Sequence, residues 1–146
     1  MINVPIAGSG GSITIEVLGY ENPGAGNDSD ANWLRSKVRV VVGPFSGEVD
    51  AALTTQDFVY FERELTEMLR TLEGKATFQT DEDWLRFEIG MGSRGTATVS
   101  GAVKAGGGTQ ASLRFWFETD QSFLAQTKRA LAEVAEHLPV QHRSEA

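Results

Sequence analysis

Apolar and polar residues alternate in seven separate stretches of this chain, and in only two places does the apolar spacing change to threes and fours. A period of two sends successive side chains to opposite faces of a strand, whereas spacings of three and four gather apolar residues on one side of a helix. Over 12–18, Ile13, Ile15 and Val17 alternate with Thr14 and Glu16. Over 32–42, Leu34, Val38, Val40 and Val42 share one face, and Trp33, Arg35, Lys37 and Arg39 the other. Gly43-Pro44-Phe45-Ser46 has turn chemistry, and Val49, Ala51 and Leu53 form the inward set of a return strand. A two-residue loop centred on Pro44-Phe45 would pair Arg39 with Asp50 and Val40 with Val49, and a bulge at Gly47 would shift this by one. Four more strand-like stretches, 75–80, 84–91, 95–104 and 109–118, are separated by Asp81-Glu82-Asp83, Gly92-Ser93-Arg94-Gly95 and Gly106-Gly107-Gly108. Their inward sets are Leu85, Phe87, Ile89 and Met91, then Ala97, Val99 and Val103, then Ala111, Leu113, Phe115 and Phe117.

The first helix is expected to start at Thr54, with Asp57 reaching back to complete a capping box. Phe58, Phe61, Leu65, Met68 and Leu72 make its apolar stripe, and Gly74 is placed to end it. The second is capped by Thr119 or Asp120, carries Leu124, Thr127, Leu131, Val134 and Leu138 on one stripe, and stops at Pro139. The order βββαββββα predicts a single α+β domain over 12–139, a largely antiparallel curved sheet of about seven strands with two amphipathic helices. Whether both helices lie on one sheet face, or the sheet curls toward a sandwich or open barrel, is left open by the pattern. Gly8-Ser9-Gly10-Gly11-Ser12 has linker composition, which predicts a flexible segment over 1–11, and 140–146 reads as a disordered tail.

A chain of 146 residues can close one core without crosslinks. The lack of cysteine excludes disulfides, thiolate metal sites and a cysteine nucleophile, and fits a cytoplasmic protein. No apolar run approaches the roughly 20 residues of a membrane helix, and no signal-peptide pattern opens the chain, so a soluble, unprocessed protein without a membrane partner is expected. Twenty acidic residues against thirteen basic ones give a net charge of −7, which disfavours nucleic acid as a partner. The excess is uneven: residues 1–34 hold four acids and no Lys or Arg, and 48–88 hold eleven acids against four bases. Such a surface steers toward a basic protein; the plainer reading is solubility alone.

Motifs for chemistry are sparse. Asp28-x-Asp30-x-Asn32 opens like a calcium loop, but Trp33 and Arg39 stand where that loop needs Gly and Glu. A loop over 19–31 whose Asn and Asp side chains satisfy their own backbone explains it better. His137 and His142 assemble no triad, Asp81-Glu82-Asp83 reads as a solvated turn, and the glycines at 106–108 lack phosphate-loop spacing. No catalytic residue, metal or cofactor is expected.

The tryptophans are the stronger signal. Trp33 beside Arg35 and Lys37, Trp84 beside Arg86 and Glu88, and Trp116 beside Arg114 all fall opposite the inferred core set. Tryptophan and arginine are enriched at binding hot spots, which suggests a protein-binding surface; the competing structural reading packs the rings under a helix or under the 19–31 loop.

Val17-Leu18-Gly19-Tyr20-Glu21-Asn22-Pro23 followed by Asp30-Ala31-Asn32-Trp33-Leu34 resembles the start of the WapI-family immunity proteins. In them a strand ends in Gly-Tyr, an acidic loop follows, and Asn-Trp-Leu opens the next strand. The likeness extends over about 13–138 and includes the Asp120-Gln121 helix start; it departs at Ser29, where a larger residue is expected. The resemblance implies a cytosolic, non-enzymatic protein that binds and neutralises a partner toxin, typically a nuclease domain. A basic toxin domain is then the expected partner, with Trp33, Trp84 and Trp116 as anchors and Asp28, Asp30, Asp81, Glu82 and Asp83 as the charged complement. The alternative is a small-molecule-binding or enzymatic domain with a pocket on the concave face of the sheet, lined by Tyr20 and the tryptophans.

Overall fold

A computed structural model describes residues 1–106 and 110–143. The elements run β1 (Ile2–Gly8), β2 (Gly11–Tyr20), α1 (Asp28–Ala31), β3 (Trp33–Val42), β4 (Phe45–Thr54), α2 (Thr55–Thr71), β5 (Lys75–Gln79), β6 (Leu85–Met91), β7 (Thr96–Lys104), β8 (Ser112–Asp120) and α3 (Gln121–His137). The α+β class and the order of elements are those expected. The strands divide into two antiparallel four-stranded meanders, β1-β2-β3-β4 and β5-β6-β7-β8.

The additional strand is β1, where a loose segment was expected. Ile2, Val4 and Ile6 are buried, and they pair with Val17, Ile15 and Ile13 of β2. The glycines that suggested a linker serve a hairpin instead. Gly8 pairs with Gly11 across the turn, and a Cβ at either position would collide with β8, at the Glu118 carbonyl or the Phe117 ring. The short side of this hairpin is therefore pressed against the second sheet.

The β3–β4 register also differs from expectation, by two residues. Arg39 faces Glu48 and Val40 faces Gly47, because Gly43-Pro44 rather than Pro44-Phe45 forms the turn. Gly43 has φ 56°, the positive value that the first central position of a tight hairpin turn favours. A two-residue shift preserves the faces, so the inward set is unchanged.

Helix α2 has the expected capping box: Asp57 N–H donates to Thr54 Oγ1 and Thr54 N–H donates to Asp57 Oδ2, at 3.2 and 2.9 Å. Its end differs, since Leu72 takes the left-handed conformation at φ 58° and lies exposed rather than in the stripe. Phe58 and Phe61 meet Phe78 and Phe87 edge-on at 5.2–5.7 Å, which seats α2 on β5 and β6. Helix α3, capped by Asp120, packs across β1 and against α2, closing a single core with both sheets. Ala111, expected inside, precedes β8 and is exposed. The tail departs from expectation over its first residues, where Gln141 is hydrogen-bonded to Asn32; the remainder, 144–146, lies outside the described residues, as do Gly107 and Gly108 of the expected glycine turn.

Two buried hydroxyls behave oppositely. Thr127, in the apolar stripe of α3, donates to the Pro5 carbonyl at 2.6 Å, while Ser36 Oγ, between Val17 and Ala51, has no partner among the described residues. Thr127→Val should lower unfolding free energy by about 1–3 kcal/mol by orphaning a carbonyl, and Ser36→Ala should raise it by up to about 1 kcal/mol. Urea denaturation of both variants checks the opposed signs; equal signs would contradict the assignment.

Candidate functional site

Asn32 organises the region that carries Trp33. Its side chain is buried, and both amide hydrogens and both carbonyl lone pairs are used. Nδ2 donates to the carbonyls of Asp28 and Gln141 at 2.7 and 2.9 Å, and Oδ1 accepts from Thr55 Oγ1 and Gln141 N–H, each at 2.7 Å. One amide thus fixes α1, the first residue of α2 and the C-terminal segment together. Tyr20 reinforces it: its hydroxyl donates to the Pro139 carbonyl at 2.6 Å and accepts from Gln141 Nε2 at 2.8 Å. Sequence reading quoted Asn32 in two motifs without giving it a structural role and passed over Gln141, because a fully satisfied buried amide looks like any loop asparagine until its distant partners are known.

Within the 19–31 loop, Asn27 caps α1 by accepting from Asp30 N–H at 2.8 Å, and its Nδ2 donates to the Asp30 carboxylate at 3.0 Å. This is the self-satisfied loop expected. It engages Asp30 locally and turns Asp28 toward the C-terminal segment, where its carboxylate accepts from Arg143 N–H.

Trp33, Asp28 and Asp81 line one surface hollow of about 360 Å³, with Gln56, Gln141 and His142. Of the eight residues expected to contact a partner, these three are brought together. His142, expected in a disordered tail, belongs to the same hollow. Asp57 stands at the edge of this acidic group: burial pushes its carboxyl up, the Thr54 hydrogen bonds oppose the shift, and the charge of Asp81 adds to it.

The other two tryptophans lie elsewhere. Trp84 is half-buried against the core; its indole N–H donates to Glu82 at 3.3 Å, and it lines a hollow of about 510 Å³ with Leu18, Glu21, Arg35 and Asp50. Asp81, Glu82 and Asp83 are exposed, in a turn that Thr80 pins by accepting from Trp84 N–H. Trp116 is 63% exposed on the outer face of the second sheet. It lines a trough of about 500 Å³ with Arg86, Glu88 and Arg114, floored by Ser100, Gly101 and Ala102 of β7. The inner sheet faces are filled by the core, and Tyr20, placed by the small-molecule alternative in a pocket, spends its hydroxyl on Pro139.

Asn32→Ala should destabilise the fold by more than about 2 kcal/mol, since several buried groups lose partners at once, and should speed amide exchange at Gln141. Retention of slow exchange there would contradict the hub. Because Asp57 is shifted upward, its contribution to stability is full below the ordinary carboxylate range and falls as pH rises through the ordinary value to the raised one. Asp57→Asn keeps an acceptor for Thr54 and does not ionise. It should therefore gain on the wild type between about pH 3 and about pH 7 in chemical denaturation, and a constant difference would oppose the shift.

Every strand and helix, from the buried Ile2 of β1 to the end of α3, and the Pro139 carbonyl that receives Tyr20 fall within residues 2–139 that match the Immunity protein WapI-like family, while Gln141, His142 and Arg143 lie just beyond it. No curated protein matches the chain. The likeness read at Asn32-Trp33-Leu34 thus extends over nearly the full length, and the chain belongs to the WapI-like immunity protein family.

Proposed function

We propose that this chain acts in the cytoplasm as an immunity protein without catalysis of its own, binding and neutralising a toxin whose basic, nuclease-type surface docks on the Trp33 hollow. The observation that carries this reading is the meeting of Trp33 with Asp28 and Asp81 in one hollow, in a chain of net charge −7 that belongs to an immunity family. Carboxylates set around an aromatic anchor match a surface built to hold phosphates. Long-range attraction speeds the encounter, and the ring, once seated, slows dissociation. Asp30, Glu82 and Asp83 extend the acidic surround, Trp84 is an outlying aromatic contact, and Trp116, beside Arg86 and Arg114, takes a part of the toxin that is not basic.

The test starts with recovery of the partner from the native cell and its expression with and without this chain. Growth should be rescued by the wild type. Asp28→Asn with Asp81→Asn should slow association and flatten its salt dependence, while Trp33→Ala should raise the dissociation rate about tenfold or more. Full neutralisation by all these variants, or a partner whose docking face is acidic, would sink the assignment of this hollow.

A further inference from the structure

Two open sheets have four outer edges, and three of them carry contacts of their own. On β1, Thr127 and Thr119 hydroxyls donate to the Pro5 and Ala7 carbonyls at 2.6 and 2.7 Å, and Pro5 has no N–H to offer. On β5, Thr77 N–H donates to Glu64 of α2 at 2.8 Å. On β8, the Glu118 carbonyl accepts from Ser9 N–H at 2.8 Å. The edge formed by β4 is different. Among the described residues, no backbone group of Phe45–Asp50 is bonded outside the ladder to β3. Cover begins only beyond Asp50, where Ala51 and Leu53 are buried and Trp84 lies beside Ala51 and Ala52.

The side chains along this edge specify what can join it. On the outer face, the rows across the sheet read Glu16, Lys37, Asp50 and Thr14, Arg39, Glu48. A strand added beyond β4 would continue the alternation of charge by placing Lys or Arg beside Asp50 and Glu48. On the inner face the same strand would meet Phe45, 65% exposed, and half-buried Val49, which call for apolar residues. A second copy of this chain fits badly: antiparallel pairing of β4 with itself sets Glu48 against Asp50, or either acid against its own copy, and like charges directly opposite repel.

We infer that the Phe45–Asp50 edge receives an extended segment of the partner protein, alternating apolar and basic residues, as a fifth strand of the first sheet. Main-chain hydrogen bonds would hold the segment and the alternation would select it. This rests on the proposed function only for the identity of the donor. It adds a second contact, separate from the Trp33 hollow.

The probe is a soluble peptide of about six residues alternating valine and lysine, compared with an isomer of the same composition in blocks and with a valine–glutamate analogue. The alternating lysine peptide should bind at least about tenfold tighter than the isomer and slow amide exchange over Phe45–Asp50. Glu48→Gln with Asp50→Asn, which leaves the hairpin intact, should erase the preference for lysine over glutamate. Equal binding of the isomer, protection at another element, or a preference that survives the double variant would overturn the inference. Growth rescue decides the other reading separately. A chain that neutralises its partner but ignores the peptide keeps the function and loses the fifth strand; one that takes the peptide but rescues nothing keeps the acceptor edge and loses the function.

Discussion

A buried amide must find partners for two donors and two acceptors, and Asn32 finds them in three separate parts of the chain. Each partner is a backbone or hydroxyl group that would itself be orphaned if the amide moved. The short helix before β3, the start of α2 and the segment after α3 therefore cannot be positioned independently. Trp33 follows Asn32 directly, so the ring inherits its position from this network, and the hollow it lines is a consequence of how the amide is satisfied. In this region the shape of the hollow and the stability of the fold share the same atoms.

A second constraint joins the sheets. With the strands divided into two meanders, nothing in either ladder holds one sheet to the other. Gly8 and Gly11 let the β1–β2 turn approach β8 closely enough for the Ser9–Glu118 bond, and Thr119 and Thr127 occupy carbonyls on the free side of β1. Beyond its ladder to β2, the N-terminal strand is thus bonded to elements from the far end of the chain. Such contacts are invisible to periodicity, which is a local signal, whereas the alternation of Ile2, Val4 and Ile6 is itself local and was hidden by the linker-like glycines that follow it.

What was legible in the sequence is what depends on neighbours a few positions away. The faces of β3 and β6, the stripe of α3 and the Thr54 capping box follow from spacing alone, since burial of one face leaves little choice of side. What was not legible depends on backbone angles or distant partners. Glycine-rich composition fits a linker and a tight hairpin equally, and the pairing of β1 with β2 and the approach of Phe117 and Glu118 distinguish them. The β3–β4 register turned on whether Gly43 took a positive φ, which cannot be read from a Gly-Pro pair that suits either turn. For the site, alternation placed Trp116 outward correctly, but sharing a period says nothing about proximity. Trp33, Trp84 and Trp116 each line a different hollow.

Net charge and local charge then answer different questions. At physiological ionic strength the screening length is about 8 Å, so a distant partner senses the summed excess of acids, while a docked one senses only the groups beneath it. The outer face of the second sheet shows how far the two can diverge. Arg86 and Arg114 both pair with Ala102 from opposite sides, two strands apart and so about 10 Å between backbones, and Trp116 stands next to them. This basic stripe lies within a chain of net charge −7. Attraction of a basic partner at long range is compatible with such a stripe, because the orientation of the encounter, rather than its occurrence, is what local charge selects. The stripe would turn a basic surface away from the second sheet and toward the acids around Trp33 and along β4. For the basic partner proposed above, the arginines beside Trp116 would contribute to specificity by exclusion, which a count of charges along the sequence has no means of expressing.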